Sequence, residues 1–254
     1  MLQVENLSKY FSGIPAVEDV SFLIRRGEIL GYLGPNGSGK STTVKMLTGL
    51  LEPSSGHILW DGLDVRSEPD AFKHRIGYVP EEPQLYSYLS GREYLLLTGR
   101  LRRLAQPALD RRIEQLLDLF GLSDARHMAL ASYSKGMRQK ILLAAALLHD
   151  PEILILDEPF SGLDVSAARV LKVLLKQLAA AGKVVFYSSH VLEVVEKVCD
   201  RVIILHKARV VADDSVSRLR ELMTLPDLDH IFAQLVEEED ADARARSILE
   251  AIRQ

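Results

Sequence analysis

The 254-residue chain has a single cysteine, Cys199, so no internal disulfide can form and a reducing compartment suits it. Long apolar runs are missing too. The longest, "ILLAAALL" from Ile141 to Leu148, falls well short of the roughly 18 residues a spanning helix needs. The opening "MLQVENLSKYF" lacks the charged-then-apolar pattern of a secretory signal, which makes the cytosol the expected compartment. Positive charge is not in surplus: 31 Lys and Arg against 35 Asp and Glu leave a net charge of −4. That balance argues against a surface built mainly to neutralise nucleic-acid phosphates. There is no internal repeat and no low-complexity segment. These absences predict a chain that is soluble alone and reaches a membrane only through a partner that does the spanning.

What is present suffices for a full core. With 47% hydrophobic and 26% charged residues, the chain can form one large domain or two modest lobes. Short β-type runs come first, "LQVENL", "VSFLI", "EILGYL", "HILWDGLDV" and "IGYVPE", rich in Val, Ile and aromatics and punctuated by Gly and Pro; they predict a mixed sheet. From about residue 89 to residue 149 leucines recur at helical spacing among Arg and Glu, with Pro107 opening one helix and Gly121 closing another. This segment reads as a helical insertion. Strand and helix then alternate through "ILILD", "SAARVLKVLLKQLAAAG", "KVVFYSS", "VLEVVEKVCD" and "RVIIL", the rhythm of a parallel sheet covered by helices. "RVIILHKARVVAD" predicts a closing hairpin, although Ala208 stands where a turn favours Gly. The cluster Arg100, Arg102, Arg103, Arg111 and Arg112 reads as a solvated helix face, and "EEED" opens a polar tail over residues 237–254.

The chemistry begins at "GPNGSGKS". Gly34, Pro35, Asn36, Gly37, Ser38, Gly39, Lys40 and Ser41, followed by Thr42, match G-x-x-x-x-G-K-[ST] between an incoming strand and an outgoing helix. The glycines let successive backbone N–H groups turn toward an anion, and the helix N-terminus adds partial positive charge. Lys40 can then reach the outer phosphates and Ser41 can ligate Mg²⁺. A cradle alone does not separate a kinase, a GTPase and an ATPase. "ILILDEPFSGLD" adds two acids at the end of a buried strand: Asp157, placed to hold Mg²⁺, and Glu158, placed beyond the strand end to act as general base on water. "YSSH" brings His190 to the end of the next strand, beside the same site.

Cradle, helical insertion, "YSKGM", "ILILDEP", "SGLD" and "SSH" stand in one order, and that ordered set resembles the ATP-binding subunit of ABC transporters from about Leu2 to Val236. "IGYVPEEPQLY" and "YSKGMRQK" look most like the drug-export branch that includes daunorubicin-resistance-type pumps. The resemblance implies an α/β P-loop NTPase of ABC type. Its core lobe of mixed β-sheet would span residues 1–88 and 150–236, with the α-helical subdomain inserted at about 89–149. It further implies ATP and Mg²⁺ as cofactors, a transmembrane permease as partner, a second ATP-binding subunit, no nucleic acid, and a place at the cytoplasmic face of the membrane.

Position by position, Phe11, beside Tyr10, matches the aromatic that stacks on adenine, though either ring can equally be core. Ser161 to Asp164 match the loop along the dimer seam, and Asp164 can also be the N-cap of the following helix. His190 matches the γ-phosphate switch. Ser134 and Gly136 stand in the signature, so they should close on ATP held by another subunit. Three positions depart from the family pattern. Lys135 and Met137 replace a signature glycine and glutamine, and Glu81 replaces the Q-loop glutamine. Glu81 is either a metal ligand that brings extra negative charge or an exposed loop acid. The alternative function is a soluble ABC-type ATPase of repair, translation or cluster assembly.

Overall fold

The strands predicted as one mixed sheet divide into two. The computed structural model describes residues 1–189 and 192–223; His190 and the tail expected at 237–254 lie outside them. β1 (Leu2–Phe11), β2 (Ile14–Ile24), β4 (Ser55–Trp60) and β5 (Leu63–Asp64) form an antiparallel sheet in the order β2-β1-β4-β5. The second sheet has six strands in the order β10-β9-β3-β8-β7-β6. It is built from β3 (Ile29–Leu33), β6 (Ile76–Val79), β7 (Ile153–Asp157), β8 (Val184–Ser188), β9 (Arg201–His206) and β10 (Arg209–Ser215). Its strands run parallel except β10, which pairs antiparallel with β9. Every residue of β3, β7 and β8 is buried, as expected of continuous apolar strands covered on both faces.

Three tight turns account for the local antiparallel pairings. Ser12 and Gly13, Asp61 and Gly62, and Lys207 and Ala208 all have positive φ at consecutive positions, the conformation that joins twisted antiparallel strands in two residues. The second of these cuts "HILWDGLDV" into two strands. At the third, Ala208 holds φ 70° without being glycine. Its carbonyl accepts from Glu18 N at 2.8 Å, a bond between the two sheets that offsets the strain.

Helices fill the two sides of the six-stranded sheet. Between the sheets lies α1 (Lys40–Leu47), with Val44 and Leu47 packed among Phe22, Tyr32, Trp60 and Phe186. The opposite face carries α6 (Val165–Ala180), α7 (Leu192–Val198) and α8 (Val216–Met223), contributing Leu171, Leu175, Val195 and Leu219. A third apolar cluster belongs to α3 (Gly91–Leu101), α4 (Gln106–Leu119) and α5 (Lys135–Leu147), through Leu95, Leu109, Ile113 and Ile141. α3 starts at a capping box, Ser90 with Glu93. α4 carries Pro107 in its first turn and ends before Gly121 at φ 66°. The short α2 (Pro69–Arg75) leads into β6.

Two arginines expected on a solvated face do other work. Arg102 donates to the carbonyls of Lys73 and Ile76, the latter at 3.1 Å, and Arg112 donates to the carbonyl of Leu148 at 2.8 Å. His149 Nε2 donates to the same Ile76 carbonyl at 3.0 Å. The helical layer is therefore pinned to the start of β6 by side chains that meet at one carbonyl oxygen.

Candidate functional site

The loop after β3 prepares an anion site at the start of α1. Its N-cap is Gly39 at φ 112°, with no side-chain cap and no acidic residue in the first turn. The leading N–H groups of α1 thus have no side-chain acceptor and are available to an anion. A Cβ at Gly39 would lie 2.4 Å from the Ala16 carbonyl oxygen, so only glycine allows β2 to approach the loop this closely. A Cβ at Gly34 would meet the buried Ser38 Oγ at 2.4 Å. Lys40, 9% exposed, donates from Nζ to the carbonyls of Gly34 at 2.6 Å and Pro35 at 3.1 Å. Burial lowers its pKa, and the charges of Glu158, Asp157 and Glu81 oppose that shift.

Four parts of the chain meet around a cavity of about 300 Å³ lined by Ala16, the loop residues Asn36, Gly37, Gly39, Lys40, Ser41 and Thr42, and the acids Glu81, Asp157 and Glu158. Asp157, the last residue of β7, is buried. Burial pushes its carboxyl up to about 6, and the nearby charges of Glu81 and Glu158 add to the effect. A carboxylate that gains so much from a cation is a fitting ligand for one. Glu158 follows at φ 48°. Its N–H is held by the Ser188 carbonyl at 3.0 Å, and Oε2 accepts from Ser189 Oγ at 3.0 Å. The backbone thus turns sharply at the strand end and brings the side chain to the cavity. Glu81 is exposed, as one reading expected of a loop acid, and it also lines the same cavity.

The remaining predicted residues stand elsewhere. Phe11 is 49% exposed at the far end of β1, with the Lys9 ammonium 5.5 Å from its ring centroid, and is not core. Ser134 is exposed at the N-terminus of α5, where its Oγ accepts from Met137 N at 3.2 Å. Asp164 caps α6, accepting from Ala167 N at 2.8 Å. None of Phe11, Ser134, Gly136 and Asp164 lines the acid-and-loop cavity. His190 is not among the described residues.

Two residues at the site escaped sequence reasoning. Ser189 could have been found from its place beside His190 at a strand end. Gln139, 1% exposed and donating to the Pro159 carbonyl at 3.1 Å, carried no signal, since a glutamine ahead of an apolar helical run reads as solvated.

Residues 17–161 match the family model described as ABC transporter. The chain is 40% identical over 220 residues to the ABC transporter ATP-binding protein NatA of Bacillus subtilis (strain 168), covering 86% of this chain and 89% of that relative. Among solved structures, one titled as the ATP binding subunit of an ABC transporter superposes with a TM-score of 0.87 at 35% identity, covering 92% of this chain and 99% of that one. The ATP-binding cassette MJ0796, in a dimeric post-hydrolysis state bound to ADP and Pi, gives a TM-score of 0.77 at 25% identity over 85% of this chain and 98% of that one.

Proposed function

The chain belongs to the family of ABC transporter ATP-binding subunits, which bind and hydrolyse ATP, and from that premise we propose that it drives export through a separate transmembrane permease. The observation that carries the mechanism is the separation just described. The phosphate loop with its acids forms one half of a site, while Ser134 and Gly136, the residues suited to the other half, stand apart from it. A second ATP-binding subunit, turned head to tail, supplies the missing half to each nucleotide.

In this reading Lys40 exchanges the Gly34 and Pro35 carbonyls for phosphate oxygens, and the first N–H groups of α1 hold the same phosphates. Glu158 accepts the proton of the attacking water, and His190 senses the γ-phosphate. Phe11 stacks on the adenine, and Asp164 lies along the seam between subunits. Among the described residues no three His, Cys, Asp or Glu side chains converge enough to hold a metal alone. That suits Mg²⁺, which takes one or two protein ligands plus phosphates and water. Ser41 and Asp157 would hold it, with Glu81 alongside, and it would neutralise the charge developing on the transferred group.

Export is favoured by the resemblance of "IGYVPEEPQLY" and "YSKGMRQK" to the drug-export branch. No helix among the described residues is long and apolar enough to cross a membrane; in this reading the permease is a separate chain and this subunit sits at its cytoplasmic face. The cleft lined by Glu82, Leu85, Ser87, Ala131 and Arg138, beside the exposed Tyr86 and Tyr88, is the surface offered to it. The test is Glu158→Gln. Phosphate release should fall about 10²–10⁴-fold, while ATP drives the variant into a dimer on size exclusion. Undiminished hydrolysis removes Glu158 from the base role, and a persistent monomer removes the sandwich. Copurification from solubilised membranes with a multi-spanning protein checks the permease.

A further inference from the structure

The loop that leaves Glu158 is mounted on the first turns of α5. Lys135, Gly136, Gln139 and Lys140 fall on one helical face, and each meets that loop. The Gln139 amide donates to Pro159 O at 3.1 Å. A Cβ at Gly136 would lie 2.4 Å from Gly162 O, and one at Gly162, φ 77°, would lie 2.9 Å from Lys135 Cγ. Lys140 Nζ stands 3.9 Å from Asp164 Oδ2. On its other side, Glu158 is bonded to Ser188 O at the end of β8. The general base thus lies between a strand that is fixed in the sheet and a loop that rides on α5.

Gln139 is the one side-chain hydrogen bond in that mount made wholly inside the protein. Its residue is 1% exposed, and its Oε1 is buried with no partner among the described residues. Packing alone would be better served by an apolar side chain, because half the amide is left unsatisfied. The half that is satisfied points at the residue directly after Glu158. Pro159 has a fixed φ, so a displacement of its carbonyl is passed to Glu158 with little slack.

We propose that Gln139 is a positioning residue that ties the general base of a subunit's own ATP to the signature segment with which the same subunit grips its partner's ATP. The inference rests on the sandwich reading above. Capture of a γ-phosphate at Ser134 orders the N-terminal turn of α5. Gln139 and the Gly136–Gly162 contact carry that order into the 159–164 loop, and Glu158 is aligned in response.

The test is Gln139→Met, which keeps length and burial and removes the donor, measured in the full chain. The expected result is a kcat about tenfold lower, the effect of one buried hydrogen bond, with KM nearly unchanged and the melting temperature lowered only by the one unpaired carbonyl. In a Glu158→Gln background, where the base is already lost, the Gln139 substitution should lower the residual hydrolysis no further, because Gln139 acts through Glu158. ATP-dependent dimerisation, read in a Glu158→Gln background with and without the Gln139 substitution, should be the same. Gln139→Leu repeats the measurements should the Met variant unfold. A role in packing alone would instead lower hydrolysis to the same degree with or without the Glu158 carboxylate, and that result overturns the proposal, as does a wild-type kcat in a normal dimer. A Glu158→Gln chain that never dimerises with ATP overturns the sandwich first and this inference with it.

Discussion

Acid should loosen the junction between the helical layer and β6, and His149 is the group responsible. Its Nε2 donates to Ile76 O at 3.0 Å, the same oxygen that accepts from Arg102. Nδ1 is buried with no partner among the described residues. A second proton would sit on Nδ1 facing no acceptor and beside a guanidinium, so burial first and the Arg102 charge second bring the ring down to about 4. The unfolded chain takes up that proton near pH 6.5. Between pH 6.5 and about 4 the unfolded state therefore holds more protons than the folded one, and stability falls as the pH falls. Transmitted in full, the displacement is worth about 3 kcal/mol; partial exposure of the ring reduces the expected loss to about 1–2 kcal/mol.

Urea unfolding with EDTA at pH 7.5, 6, 5 and 4.5 would measure it in the wild type and in His149→Gln, whose amide can still donate to Ile76 O but takes no charge. Asp157, raised to about 6, acts in the opposite sense. Its penalty is absent below about pH 4 and grows as the pH rises through 6, and since both proteins contain it, the difference between them isolates His149. The wild type should lose about 1–2 kcal/mol more than the variant on acidification. Parallel curves would refute the assignment.

Other perturbations separate binding from folding. Gly39→Ala places a Cβ 2.4 Å from Ala16 O at φ 112°, so thermal unfolding should show a loss of about 1–3 kcal/mol, and titration calorimetry should show ATP affinity lost with it. Phe11→Ala removes a ring that is 49% exposed; stability should stay within about 0.5 kcal/mol while nucleotide binding weakens by about 1–3 kcal/mol of stacking. A large stability loss with unaltered affinity would show Phe11 to be a packing residue after all.

How much of this was legible depended on range. The phosphate loop, the strand ending in Asp157 and Glu158, and the helix capped by Asp164 are local patterns, readable because the chemistry follows the chain. Partition of the early strands into a second sheet was hidden, because it depends on which face of β3 the chain crosses after Arg25 and Arg26, and a hydrophobic pattern does not encode that choice. Arg102, His149 and Gln139 were misread or unread for one reason. Each serves a backbone carbonyl distant in sequence, at Ile76 or Pro159, and carbonyls are the one acceptor that residue type never reveals.

The strand order has a mechanical corollary. The cradle hangs from β3 and the acids from β7, and the two are never neighbours, because β8 runs between them. Two inter-strand gaps set the separation at about 9.5 Å, a gauge cut into the backbone ladder that side-chain exchange leaves alone. On the proposed reading, the helical layer and the surface offered to a permease can therefore diversify while the jaws that hold the nucleotide keep their bite.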